Sequence, residues 1–216
     1  MAYENAASIA GVALRVTLLN ADGTKQIGPS ASYVTNQFVD LGITPEYEAG
    51  GEFVQKGADG SAMISFKSPD TLKRVNTTLT LVDPNPELTQ MLAGGQLLSQ
   101  TGVSVGYNSP KVGEVATPNG VAIEVWAKAI VNGRLASTNP YWMWVLPYVQ
   151  VTSTGERKIA DGILGTTFTG WGLGNSSFVS PGTPTWAFGT DRPYGYARVA
   201  SLPTFPGSGW GYAASS

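Results

Sequence analysis

The chain has no cysteine and no histidine in its 216 residues. Without cysteine there is no disulfide, no thiolate nucleophile and no cysteine metal site, and the redox compartment leaves no mark. Without histidine there is no serine–histidine–acid triad and none of the usual zinc, copper or haem ligands. Charge is scarce: Asp, Glu, Lys and Arg make up 13% of the residues, where about 25% is usual. Thirteen basic and fifteen acidic residues give a net charge of -2, so bulk charge offers nothing to nucleic acid. No apolar run approaches the roughly 18 residues of a membrane helix. The apolar stretch from Ala6 to Leu14 lacks the basic flank of a signal peptide.

What remains is apolar and turn-rich. Hydrophobic residues account for 42% of the chain, which rules out a disordered tail. The length suits one domain, or one domain with an extension, and such a domain buries roughly 70% of its unfolded surface without staples. Twenty-seven glycines and 14 prolines favour turns and short strands over helices. A surface this poor in charge suits a protein that buries its outside against copies of itself.

Period and punctuation predict a mainly β fold. Val12, Leu14, Val16 and Leu18 alternate with Ala13, Arg15 and Thr17, and the turn Asn20-Ala21-Asp22-Gly23 follows. A second strand is expected over 32–41, a loop over 42–50, and a hairpin over 51–67 whose turn is Ala58-Asp59-Gly60. In its second arm Ile64 and Phe66 share a face. Over 75–82, Val75, Thr77, Leu79 and Leu81 face one way. One helix is signalled near 86–94: Asn85 as cap, Pro86 at the first position, an apolar stripe of Leu88, Met91 and Leu92, and Gly94-Gly95 as the stop. At two or three turns it is too short to stand alone and must pack on a sheet. Residues 100–120 read as a long loop or irregular hairpin.

Strands are again expected at 121–131, before the turn pair Asn132-Gly133, at 141–151, and at 158–171. The 141–151 segment is apolar on both faces, as in a strand central to a domain or part of an interface. The last 44 residues hold seven glycines, five prolines and only Asp191, Arg192 and Arg198 as charges. They also hold Trp186, Phe188, Tyr194, Tyr196, Phe205, Trp210 and Tyr212. This predicts a β domain over 1–172 and an extension over 173–216 that lies on a surface, its own or a neighbour's.

Candidate chemistry is thin. Asp40, Glu46, Glu48 and Glu52 cluster, and Glu46 and Glu48 share a face if the stretch is extended. Paired carboxylates can hydrolyse glycosides, but a solvated acidic loop or a partner-facing patch explains them as well. Trp142 and Trp144, two apart on a strand, could stack on a sugar or form a core or interface face. Asp83 before Pro84 shapes the turn into the helix. Lys73-Arg74 reads as a strand-edge charge that blocks aggregation. No phosphate loop, dinucleotide fingerprint or basic-aromatic array is present. No enzyme activity, cofactor or metal is expected.

Several segments together resemble a known family. They are Ile43-Thr44-Pro45-Glu46-Tyr47-Glu48, the glycine-rich hairpin, Lys73-Arg74-Val75-Asn76-Thr77-Thr78-Leu79-Thr80-Leu81, and Asp83-Pro84-Asn85-Pro86-Glu87-Leu88 with its glycine-ended helix. With Trp144-Val145-Leu146-Pro147 and Phe168-Thr169-Gly170, the order resembles the major tail tube proteins of long flexible-tailed phages, particularly those of actinobacterial hosts. It spans roughly residues 10–175; the aromatic C-terminus has no counterpart in the pattern. The resemblance implies two packed β-sheets in a sandwich or barrel-like arrangement with one flanking helix. It implies six subunits in a ring, rings stacked into a tube, and a place in the virion tail after assembly in the host cytoplasm. The partners implied are other copies of the chain, the tape-measure protein and double-stranded DNA in the lumen, and the tail terminator and baseplate proteins.

On that reading Ile43, Pro45, Tyr47, Phe53, Tyr107, Trp142 and Trp144 are the expected inter-subunit contacts, and Glu46, Glu48 and Glu52 are expected to face the lumen or a neighbouring ring. A net negative chain suits a conduit, since a lumen that repels phosphate lets DNA slide. Three other readings stay open: a carbohydrate-binding β-sandwich module, a glycosidase using two of Glu46, Glu48 and Glu52, and a capsid-decorating or head–tail connector protein.

Overall fold

A computed structural model describes residues 5–82, 85–115, 117, 119–155, 165–179, 191–207 and 209–211. Along the chain it places β1 (Ala7–Leu18), β2 (Ser32–Thr35), β3 (Phe38–Glu48), β4 (Glu52–Lys56), β5 (Ala62–Lys67) and β6 (Thr71–Leu81). Then come α1 (Pro86–Ala93), β7 (Gln96–Gln100), β8 (Val103–Asn108), β9 (Val121–Val131), β10 (Arg134–Leu135) and β11 (Tyr141–Thr154). β12 (Thr166–Gly172), β13 (Gly195–Val199) and β14 (Trp210–Gly211) complete the order. Over the described residues the chain is mainly β, with one large antiparallel sheet, two small two-stranded sheets and a single helix. The expected sandwich layers are thus parts of one continuous sheet.

That sheet runs β14–β2–β1–β9–β11–β12–β6–β3, with β10 added to β9 and β13 to β11. β11 is its spine. Tyr141–Val145 pair with β13, while Val149–Thr154 pair with β12. The exchange of partners falls around Pro147, which has no N–H to give to either. The sheet curls: Leu14 and Val16 of β1 share one core with Leu79 and Leu81 of β6, Ile123 of β9, Leu146 of β11 and Phe168 of β12. The curl brings the Phe38 ring of β3 against Gly11 of β1.

The helix closes this core with Leu88, Met91 and Leu92, all buried. Their burial contributes roughly 1.5–3 kcal/mol each. Asn85 caps it as the sequence implies, its side chain accepting from the Leu88 amide at 2.9 Å. Asn85 also donates to the Tyr33 hydroxyl at 2.7 Å, which ties the helix to β2. Gly94 ends the helix, its N–H donating to Gln90 at 2.8 Å.

A second core lies on the other face of β1, β9 and β11. Ala13, Ala122, Trp126, Met143 and Val145 meet Phe178 and Val199 there, and Phe178 is fully buried. The middle strands are therefore covered on both faces, which is why 141–151 reads as apolar on both. Glu124, fully buried, pairs with Arg15 directly opposite it in the β1–β9 register. The Arg15 guanidinium also stands 5.1 Å from the centre of the Trp126 ring.

Three expectations shift. Residues 42–48 are strand, not loop: Thr44, Pro45 and Glu46 continue β3 opposite Asn76, Val75 and Arg74. β3 is an edge strand, where a proline is tolerated. The irregular hairpin expected over 100–120 begins earlier: β7 and β8 pair from Gln96 to Asn108, with a register shift between Leu98 and Ser99. The chain beyond residue 172 supplies β13 and β14 to the main sheet, rather than only lying on its surface. Expectations for Asp83, Pro84, residues 158–164, Trp186, Phe188 and Tyr212 lie outside the described residues.

Candidate functional site

Two features stand out from the body of the sheet: an arm and a cleft. The arm is the β4–β5 hairpin, carried on the ends of β3 and β6. Its turn is closed by Asp59, whose carboxylate accepts from the Ser61 amide at 3.0 Å and hydroxyl at 2.7 Å. Those bonds hold the Asp59 carboxyl below its ordinary pKa. At the base, the Gly50 amide donates to Asp70 at 3.0 Å and the Ser68 amide to the Gly51 carbonyl at 2.9 Å. These bonds carry the chain across the break between the two ladders.

Every residue of β4 and β5 is exposed, yet the strands are not polar. Phe53 lies opposite Phe66, and Ile64 follows two residues along on the same face. Phe53, Ile64 and Phe66 are 56%, 58% and 61% exposed, and Met63 reaches 73%. Glu52 and Lys67 oppose each other on the other face. Further down, Tyr47 and Leu72 form another exposed cross-strand pair.

The root of the arm is polar and tied. Glu46 on β3 accepts from Arg74 at 2.7 Å and from Asn76 at 3.0 Å, with Lys73 at 3.8 Å. The Arg74 hydrogen bond, then that of Asn76, holds the Glu46 carboxyl below its ordinary pKa against a smaller opposing effect of desolvation. Glu48 and Glu52 are exposed.

The cleft lies inside the curl, between the first residues of β1 and β3. It encloses about 510 Å³ and is walled by Ala10, Phe38, Ile43, Val125, Trp144 and Tyr194, with Ser8 and Asp40 as polar contributors. Both rims are irregular. Ala10 has φ 55, the β1 register shifts on either side of Gly11, and the β3 register shifts between Phe38 and Asp40. Bulges of this kind terminate pairing, so β1 and β3 approach without zipping together.

The expected contact residues divide between these features. Tyr47 and Phe53 stand exposed on the arm and its base. Ile43 and Trp144 line the cleft. Pro45 is half-buried next to Glu46. Tyr107, half-buried, sits on β8 opposite Leu97, away from the arm's own ladder. Trp142 is buried, and its indole N–H donates to the Ala6 carbonyl at 3.2 Å. Tyr196 of β13 stacks on Trp144 at 4.5 Å and meets Trp142 edge-on at 5.7 Å. An open two-tryptophan sugar platform is therefore not what the strand presents. Glu46, salt-bridged and acidified, has the reverse of the raised pKa that a glycosidase acid needs.

The sequence reading missed Phe38, Asp40 and Tyr194 as cleft residues. The break at Asn36-Gln37 before Phe38 was a usable signal; nothing local marks Tyr194. The loop or irregular hairpin expected over 100–120 is a second exposed hairpin, β7–β8, on which Val103 and Val105 are exposed. Among the described residues no group of three or more acidic, histidine or cysteine side chains could hold a metal ion, and no helix is long and apolar enough to cross a membrane.

No protein-family model matches the chain, and no curated protein matches it. Among solved structures it is similar to the anti-feeding prophage cap, described as a tube terminating cap and solved by cryo-electron microscopy. The alignment covers 92% of this chain and 95% of that one, at 11% identity and a TM-score of 0.36. A likeness of that degree decides neither family nor function.

Proposed function

We propose that the chain is a structural subunit of a phage tail, which associates with copies of itself into stacked hexameric rings and so builds the tube through which the genome passes. The observation that carries this reading is the arm: a hairpin that leaves Phe53, Ile64 and Phe66 in water on one face. Exposed contiguous apolar surface on a folded chain marks a contact surface. The 13% charged composition and the order of segments that resembles tail tube proteins agree with it. A projecting arm is a different patch from the surface that receives it. The contact is then heterologous, and such contacts close into rings or grow into filaments. The tape-measure protein, DNA, tail terminator and baseplate are its partners on this reading, with no ligand or cofactor.

The test is light scattering across a concentration series, with negative-stain images of the same samples. Rings or hollow tubes are the expected result. A strict monomer at every concentration, combined with saturable binding of a polysaccharide, would move the assignment to a carbohydrate-binding module.

A further inference from the structure

We propose that the apolar face of the arm, formed by Phe53, Ile64 and Phe66, docks in the cleft between β1 and β3 of a second copy of the chain. This rests on the self-assembly reading and names the acceptor of its contact.

The two surfaces match in kind. The arm face is uncharged: Phe53 pairs with Phe66, and Gln55 with Ile64. The cleft is walled by rings and aliphatic groups, and Asp40, exposed at its rim, is the one charged residue among the described residues that line it. A volume of about 510 Å³ lies within the range of roughly 300–1,000 Å³ typical of ligand clefts. It takes a few side chains and not a folded domain, so the occupant must project, as the arm does.

The backbone around the cleft also suits an incoming strand. Among the described residues β3 pairs with β6 on one side only, and Ala7–Gly11 of β1 pair with β9 only. Two strand edges therefore flank the cleft, and edges of this kind accept an added strand through main-chain hydrogen bonds. The bulges at Ala10 and at Phe38–Asp40 keep the rims from closing on each other. The donor must be another copy. The arm's apolar face stands in water within its own subunit, so it does not fill that subunit's own cleft.

The experiment uses two variants with changes at exposed positions, each checked for an unchanged melting curve. One is Phe53→Ser with Phe66→Ser, which leaves the cleft intact. The other is Val39→Glu, at the cleft rim, which leaves the arm intact. The natural protein is expected to form large assemblies and each variant alone to stay monomeric; an equimolar mixture can make only one joint per pair, so no rings should grow from it. The chain has no cysteine, so Phe53→Cys and Val39→Cys, in separate copies mixed under oxidation, give a second readout: a cross-linked dimer that neither yields alone at comparable rate. Assembly of Val39→Glu like the natural protein, with no mixed cross-link, overturns the docking and leaves self-assembly standing. Natural protein that is monomeric at every concentration, with no cross-link between the two cysteine variants, overturns both, whereas a monomeric natural protein whose cysteine variants still cross-link supports the docking.

Discussion

Gly11 and Phe38 offer the sharpest test of how the sheet curls. A Cβ built on Gly11 would lie 2.6 and 2.8 Å from two carbons of the Phe38 ring. Gly11→Ala therefore forces the ring out of the seam between β1 and β3. Overpacking of this kind costs about 1–3 kcal/mol, which for a chain of this size lowers Tm by roughly 2–12 °C. The obstacle is the far end of a half-buried side chain, so the lower half of that range is expected, and a second change should relieve it. Phe38→Ala is destabilising alone, but in the Gly11→Ala background it should cost less, with a coupling of about 0.5–3 kcal/mol. Gly170→Ala is the contrast. There the added carbon meets the Gln150 carbonyl oxygen at 2.5 Å and the Val151 Cα at 3.1 Å, which is backbone and cannot swing aside. It should cost more, and Phe38→Ala should leave that cost unchanged. Thermal melts of the six proteins decide it. A Gly11→Ala protein that melts like the natural one, or strictly additive effects, would refute the contact between β1 and β3.

Three further outcomes follow from particular contacts. Asn85→Ala removes both the helix cap and the bond to Tyr33 and should destabilise by about 1 kcal/mol or somewhat more, read by urea unfolding. Glu124→Leu strips Arg15 of the buried carboxylate opposite it and should cost about 3–5 kcal/mol, while Arg15→Met with Glu124→Leu should recover most of that loss. Glu46 has a folded pKa below its ordinary 4.5. Its stabilising effect is therefore present above that value and lost as pH falls through the folded pKa. Amide exchange at the root of the arm should accelerate in that acid window in the natural protein and not in Glu46→Gln.

Local signals made most elements readable. β9 falls where Val121 to Val131 alternate, and the helix runs from its Asn85 cap to its Gly94 stop, because caps and alternation act over a few residues. The 42–50 stretch was misread for a non-local reason. Gly42 and Pro45 argue against a strand unless it lies at an edge, and no local pattern says that β3 is an edge. β13 was hidden similarly: Gly195–Val199 is a strand because Trp142 and Trp144 offer it partners some fifty residues earlier. The arm was legible, since Ile64 and Phe66 alternate on one face. The cleft was not, because its walls come from four strands and the segment at Tyr194 and exist only once the sheet has curled.

The energetics of the proposed joint explain why an arm this apolar can be carried by a subunit that has yet to assemble. Fully burying a large apolar side chain gives about 1.5–3 kcal/mol, and Phe53, Ile64 and Phe66 are each already a little under half covered. Docking the three therefore gains roughly 3–5 kcal/mol on that same coefficient. Association costs an estimated 4–15 kcal/mol in lost freedom. One joint alone is close to break-even or weaker, so dimers should be scarce. Closing a ring changes the balance, because the final joint forms within one particle and is governed by effective concentration rather than bulk concentration. Assembly should therefore appear abruptly, with subunits and closed rings as the main species and few intermediates between them. Sedimentation velocity across the onset distinguishes this from stepwise growth: a smooth ladder of dimers, trimers and tetramers would mean that each joint is strong by itself and that the arm contributes only part of it.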